Sequence, residues 1–118
     1  MSVLRIVPNI AATDMDNVAA FYRDLLDLET VMQLDFITTL KAPGTCAPQL
    51  SIVREGGGGT PVPDLSIEVT DVDETHARAV AMGAQITLPL HDTDWGLRRF
   101  FVTDPAGRTL NILSHRSD

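Results

Sequence analysis

Cysteine is almost absent from this chain. Cys46 is the only one, so no disulfide can close within it, and the expectation is a reducing, cytoplasmic setting. Basic residues are also scarce, 9 Lys and Arg against 16 Asp and Glu, for a net charge of −7. A surface of that sign repels phosphate backbones and anionic lipid, so neither nucleic acid nor a membrane surface is an expected partner. No apolar run approaches the ~18 residues needed to cross a bilayer. The start, Met1-Ser2-Val3-Leu4-Arg5, lacks the charged segment and long apolar stretch of a signal peptide. What is present is ordinary globular composition, 44% apolar and 21% charged over 118 residues, enough for one compact domain.

An internal repeat organises the chain. Ile10-Ala11-Ala12-Thr13-Asp14-Met15-Asp16 and Ile67-Glu68-Val69-Thr70-Asp71-Val72-Asp73 both read I-x-x-T-D-φ-D, with φ apolar. Pro43-Gly44 and Pro105-Ala106-Gly107 mark turns, each followed by a strand beginning near Gln49 or Thr109. Repeated spacing of this kind points to duplicated supersecondary units. Each Thr-Asp-x-Asp reads as a helix start, with threonine or aspartate capping the first N–H groups and acidic residues meeting the positive end of the dipole. Met15, Val18, Ala19, Tyr22, Leu25 and Leu26 then fall at helical spacing on one face. Val72, Thr75, Ala79 and Val80 do so in the second copy, and Gly83 ends that helix.

Strands follow from alternation. Leu65, Ile67 and Val69 point one way, with Asp64, Ser66 and Glu68 opposite; Gln49-Leu50-Ser51-Ile52 and Thr109-Leu110-Asn111-Ile112 alternate likewise. A wet sheet face would be rich in Lys and Glu, whereas Gln, Ser, Asp, Glu and Asn suit a partly enclosed polar cleft. The expected fold is therefore α+β, two β-α-β-β-β modules at about residues 1–55 and 63–115. Between them a glycine-rich connector, residues 56–62, reads as flexible, because no Gly-Lys-Ser/Thr follows to make a phosphate loop.

Two stretches carry a family resemblance: Asp14 to Leu26, with its D-φ-D-x-V-x-x-F-Y-R-D-x-L pattern, and Trp95 to Leu113, W-G-L-R-R-F-F-V-T-D-P-A-G-R-T-L-N-I-L. They resemble the vicinal oxygen chelate (VOC) superfamily of glyoxalases, bleomycin-resistance proteins and extradiol dioxygenases. The resemblance implies a paired-module fold, a small-molecule ligand and a homodimer. It also implies metal ligands, His or Glu, at four positions, and here these hold Val7, Gln49, Asp64 and Asn111. One carboxylate, two neutral amides and no nitrogen ligand make a poor transition-metal set. No cofactor is expected, and a divalent metal is the less favoured alternative.

Candidate cleft residues are Gln49, Ser51, Asp64, Ser66, Glu68, Trp95, Arg99, Phe101 and Asn111. Trp95, Arg98, Arg99, Phe100 and Phe101 are placed on one long strand, with Trp95, Arg99 and Phe101 on one face; an indole beside a guanidinium suits an aromatic or anionic ligand. The negative net charge favours a cationic one. Neighbouring Asp64 and Glu68 are candidates for a general base, since enclosed carboxylates resist ionising together. His91 with Asp92 and Asp94 is placed in a turn before Trp95, His76 reads as a surface or satisfied residue after the second helix cap, and His115 falls in the polar tail. The expected function is metal-free binding of a small molecule in the manner of bleomycin-resistance proteins. The alternative is a lyase, isomerase or dioxygenase acting on a small carbonyl or aromatic compound.

Overall fold

A computed structural model describes residues 1–116. The fold is α+β, with eight strands and two helices in the order β1 (Val3–Ala11), α1 (Met15–Leu26), β2 (Glu29–Leu34), β3 (Ile37–Lys41), β4 (Gln49–Val53), β5 (Leu65–Val69), α2 (Val72–Ala81), β6 (Gln85–Asp92), β7 (Leu97–Thr103) and β8 (Thr109–His115). Among the described residues no helix is long and apolar enough to cross a membrane. The chain divides into two compact units.

The first unit is Val7–Val62. β1 runs parallel to β4 with Ile10 opposite Ile52, and β4, β3 and β2 follow as antiparallel neighbours. Asp14 accepts the Asn17 N–H at 3.2 Å, so the aspartate of the repeated motif is the cap. Met15 and Ala19 of α1 bury against Leu40 and Ile52, with Val18, Tyr22 and Leu28 packed around them. Leu25 and Leu26, expected on this buried face, are instead 63% and 52% exposed. The reason lies in the helix end. Asp27 turns left-handed at φ 58°, the Leu28 N–H closes on the Arg23 carbonyl, and Leu28 enters the core in their place.

A carboxylate at a left-handed position, at the negative end of a helix, is disfavoured by both sterics and charge. Asp27→Gly should raise stability by about 1 kcal/mol, read as a higher urea midpoint at unchanged slope. A lower midpoint would mean that the Asp27 side chain contributes something the cap geometry does not show.

The second unit joins Met1–Ile6 to the chain from Pro63 onward. The first residues group here because Ser2 and Thr70 exchange two hydrogen bonds of 2.9 Å and Arg5 reaches Glu68. β5 is parallel to β8 with Ile67 opposite Ile112, and β8, β7 and β6 pair antiparallel. Asp71 caps α2 through the Glu74 N–H at 3.1 Å, and Gly83 closes it at φ 72°. The core under α2 is Val69, Val72, Ala79, Phe100, Val102 and Ile112. Val80 was expected with them but is 58% exposed. It lies one residue past Ala79, about 100° further round the helix. His76 takes the buried edge instead, its ring 4.9 Å from Phe100 and edge-on at 85°.

The glycine-rich connector folds on itself. Gly56 N–H bonds the Thr60 carbonyl at 2.8 Å, Thr60 Oγ1 donates to the Gly57 carbonyl, and Gly59 N–H donates to Glu55 Oε1. It is a hydrogen-bonded loop, unlike the flexible link expected from composition. A β-carbon at Gly56 would sit 2.2 Å from the Pro61 carbonyl oxygen, so this position needs glycine for space.

Candidate functional site

In the second unit, β7 separates its side chains by alternation. Phe100 and Val102 enter the core under α2, whereas Arg99 and Phe101 lie on the other face with Asn111 and Leu113, their partners across β8. All four of these are more than nine-tenths buried. Trp95 precedes β7, in the turn that Gly96 completes at φ 87°, and so is not on the strand where alternation had put it. The indole still reaches the same guanidinium. Arg99 Cζ is 5.0 Å from the Trp95 ring centroid and 5.0 Å from that of Phe101, a cation held against two π faces. Burial pushes the Arg99 guanidinium down to about 10, and it remains protonated at neutral pH.

Next along this face, the Asn111 amide donates to Ser66 Oγ at 3.2 Å. Its oxygen is buried and has no hydrogen-bond partner among the described residues. Buried polar atoms are nearly always paired, so an open amide arm marks a place where something else can bind.

The two candidate carboxylates do not act on each other; each has its own partners. Asp64 ends just before β5, where Oδ2 accepts the Thr109 N–H at 2.8 Å and Oδ1 lies 3.9 Å from Arg108; nearly half of its side chain is exposed. That is a register clamp between β5 and β8. Glu68 is 16% exposed and takes Arg5 Nε on one oxygen at 2.9 Å and His115 Nδ1 on the other at 2.5 Å. His115, expected in the tail, is the last residue of β8, on the same face as Asn111 and Leu113 by alternation. The pair was legible only if β8 had been extended four residues beyond Asn111.

His91 and Asp92 are also displaced from expectation. Both belong to β6, opposite Arg99 and Arg98 in the ladder, and the turn begins after them. Asp92 and Asp73 both bridge Arg98, at 3.0 Å each. The Arg98 hydrogen bond holds the Asp92 carboxyl below its ordinary value, and the two aspartates hold the Arg98 guanidinium above its own. An open cavity of about 450 Å³ at the head of α2 is lined by these residues with Asp71, His115 and Arg116. Its arginines are already bridged to Asp73 and Asp92, His115 pairs with Glu68, and Asp71 is taken up as the cap of α2.

The first unit has a polar face of its own. Ser51 and Thr39, opposite each other on β4 and β3, are buried and share a hydrogen bond of 2.8 Å. Asn9 stands opposite Ser51 on β1. Thr39 and Asn9 were not among the sequence candidates, since threonine in a strand carries no signal beyond strand propensity. Val7 is buried and offers no donor, and Gln49, half-buried at the start of β4, offers a neutral amide. In the other unit Asp64 is committed to Thr109, and Asn111 to Ser66 on one arm. Taken unit by unit, these side chains do not fit a transition-metal donor set.

Comparisons with known proteins agree with this architecture. The structure superposes on the NAD-dependent benzaldehyde dehydrogenase of Legionella pneumophila with a TM-score of 0.77, at 19% identity over 95% of this chain and 100% of that one. For a methylmalonyl-CoA epimerase variant of Streptomyces coelicolor the values are 0.75, 20%, 98% and 100%. A glyoxalase/bleomycin resistance protein/dioxygenase superfamily member from Vibrio splendidus gives a TM-score of 0.67 at 21% identity, over 96% of this chain and 99% of that one. At such identities the likeness is one of fold. An uncharacterized protein of Mycobacterium bovis is 46% identical over 50 residues, 42% of this chain and 32% of that protein, so the match spans about a third of its length. A family model matches residues 3–112, and the chain belongs to the Glyoxalase/Bleomycin resistance protein/Dioxygenase superfamily.

Proposed function

We propose that this chain binds a small organic molecule on the face of the second unit that carries Trp95, Arg99, Phe101 and Asn111. It does so without a resident transition metal, in the manner of bleomycin-resistance proteins. One observation carries the reading: a face turned away from the helix buries a guanidinium and an open amide arm where a purely structural sheet would bury aliphatic side chains. The chemistry of Val7, Gln49, Asp64 and Asn111 supports the metal-free part. The lone exposed Cys46 suits a reducing cytoplasm. Exposed Phe21, Leu25, Val31 and Met32 in the first unit suit a homodimer.

Protein purified without chelator should carry far less than one equivalent of any transition metal by elemental analysis and should sediment as a dimer at micromolar concentration. A thermal-shift screen of small organic molecules on the same sample should return stabilising compounds, since a ligand of the folded state raises its stability by mass action. Stoichiometric zinc, nickel or iron would sink the metal-free part. A library without a single stabilising compound would sink the binding reading, and a monomer the dimer.

The Glu68–His115 pair favours a second reading. An imidazole oriented by a largely buried carboxylate is an arrangement for proton transfer, and several solved structures with this fold are of methylmalonyl-CoA epimerase. On that reading the protein is a lyase or isomerase acting next to a carbonyl. Deuterium entering such a carbon from D₂O, and lost in His115→Gln, would select it over simple binding.

A further inference from the structure

The first unit carries a cation that its own fold does not use. Lys41 is the only lysine of the chain. It ends β3, half-buried, and makes no ion pair among the described residues. The unit's other basic side chains are engaged, Arg23 with the Thr30 hydroxyl and Arg54 with the Asp35 carbonyl. Glu29 stands opposite Lys41 on β2, but it is exposed and does not close on the ammonium. Strand alternation puts Lys41 on the face of Thr39, and the register sets Thr39 against Ser51 on β4. Leu40, between them in sequence, turns the other way into the core under α1.

The hydroxyl pair has one proton left over. Thr39 and Ser51 are 4% and 3% exposed and share a single hydrogen bond of 2.8 Å. Two hydroxyls bring two O–H donors, and that bond uses one of them. Buried donors are nearly always met, so the second marks where an acceptor belongs. Lys41 lies two residues along the strand from Thr39, about 7 Å away, a distance its flexible stem can span. Gln49 and Asn9, opposite Lys41 and Ser51, have interactions of their own, so the donors that count are the ammonium and the one hydroxyl.

From this arrangement we infer a second ligand site, on the first unit, for a small organic molecule bearing a single carboxylate. One carboxylate oxygen takes the Lys41 ammonium and the other the Thr39–Ser51 hydroxyl. A phosphate brings more oxygens and more charge than one cation and one hydroxyl satisfy. The net charge of −7 had favoured a cation, but long-range charge sets approach, and the contacting group sets preference.

Butyrate, butyramide and butylamine share a chain and differ in charge, and inorganic phosphate tests the other oxyanion. Each would be titrated into the full chain while the backbone amide NMR signals of both units are followed. Butyrate should move the Thr39, Lys41 and Ser51 signals with a dissociation constant of about 1–10 mM, in keeping with so few atoms. Butyramide should bind at least about tenfold more weakly, the difference between a charge-assisted and a neutral contact. Butylamine and phosphate should also bind more weakly than butyrate. Lys41→Gln should bring butyrate level with butyramide, whereas Thr39→Val combined with Ser51→Ala should weaken both by about fivefold. Glu29→Gln removes the neighbouring carboxylate and should tighten butyrate about twofold.

Butyramide, butylamine or phosphate binding as tightly as butyrate would overturn the carboxylate assignment. The site itself is overturned if butyrate at about 100 mM leaves these three signals unmoved or moves only those of the second unit. Neither result touches the reading of the second unit, which the compound library tests by itself. The probe series on the unmodified chain decides the matter even if a variant fails to fold.

Discussion

Phe100→Ala should lower the stability of this protein by about 3–5 kcal/mol, the usual cost of deleting a fully buried aromatic ring. Phe100 is 0% exposed and lies in the core with Val69, Val72, Ala79, Val102 and Ile112. Removing the ring strips contacts from both layers at once, since it packs under α2, meets the His76 edge and sits opposite Ile112 on β8. β7 and β8 are paired along their length and cannot collapse into the gap without breaking ladder bonds, so most of the cavity should remain. Against a total of about 5–15 kcal/mol for a domain of this kind, the loss is large. In urea it should appear as a midpoint lowered by about 2 M at similar slope, given a slope of about 1–3 kcal/mol per molar. A shift below about 0.5 M would contradict the rigid two-layer packing. His76→Ala tests the edge contact separately and should cost about 1 kcal/mol, in the range of one aromatic pair.

The neighbouring residue shows why such elements could be read from the sequence and where the reading stopped. Phe100 and Phe101 are chemically alike, and only strand alternation assigns one to the helix and the other to Arg99. The same period separated Ile52, which packs against α1, from Ser51, and Ile112 from Asn111. The repeated Thr-Asp-φ-Asp marked both helix starts because a cap is a local interaction, decided within four residues. The misplacements fall where local signals compete with tertiary ones. Leu25 and Leu26 continue the apolar spacing of α1, but Asp27 adopts a left-handed turn and hands the core position to Leu28. Trp95 looks like strand, yet Gly96 next to it makes the turn. Glu68 was visible as a candidate, but its partners Arg5 and His115 are 63 and 47 residues away in sequence and lie at strand ends, where polarity resembles a loop. Asp64 looked like half of an acid pair because both carboxylates share a strand face; its clamp on Thr109 depends on the β5–β8 register, which no local pattern encodes.

That register also sets up the most informative single change at the site. Asn111→Val should leave stability unchanged or raise it by about 1 kcal/mol, while weakening the ligand by about tenfold. Asn111 is 7% exposed, and its amide oxygen has no partner among the described residues, so the folded protein carries a desolvated acceptor that valine would remove. Valine is close to asparagine in size and prefers strands, which limits packing cost. The bond lost to Ser66 is a long one at 3.2 Å, and Ser66 is only half-buried, so water can replace the amide there. The opposing effects on stability and affinity are the signature of a group kept for binding. A purely structural asparagine would behave otherwise: its loss would lower the urea midpoint and leave the binding curve of the tightest library compound where it was. Should both quantities fall together, Asn111 would be supporting the site through the fold, and Arg99 with Trp95 would carry the direct contacts. The measurement needs one protein variant, one denaturation curve and one titration on Trp95 emission, which the substitution leaves in place.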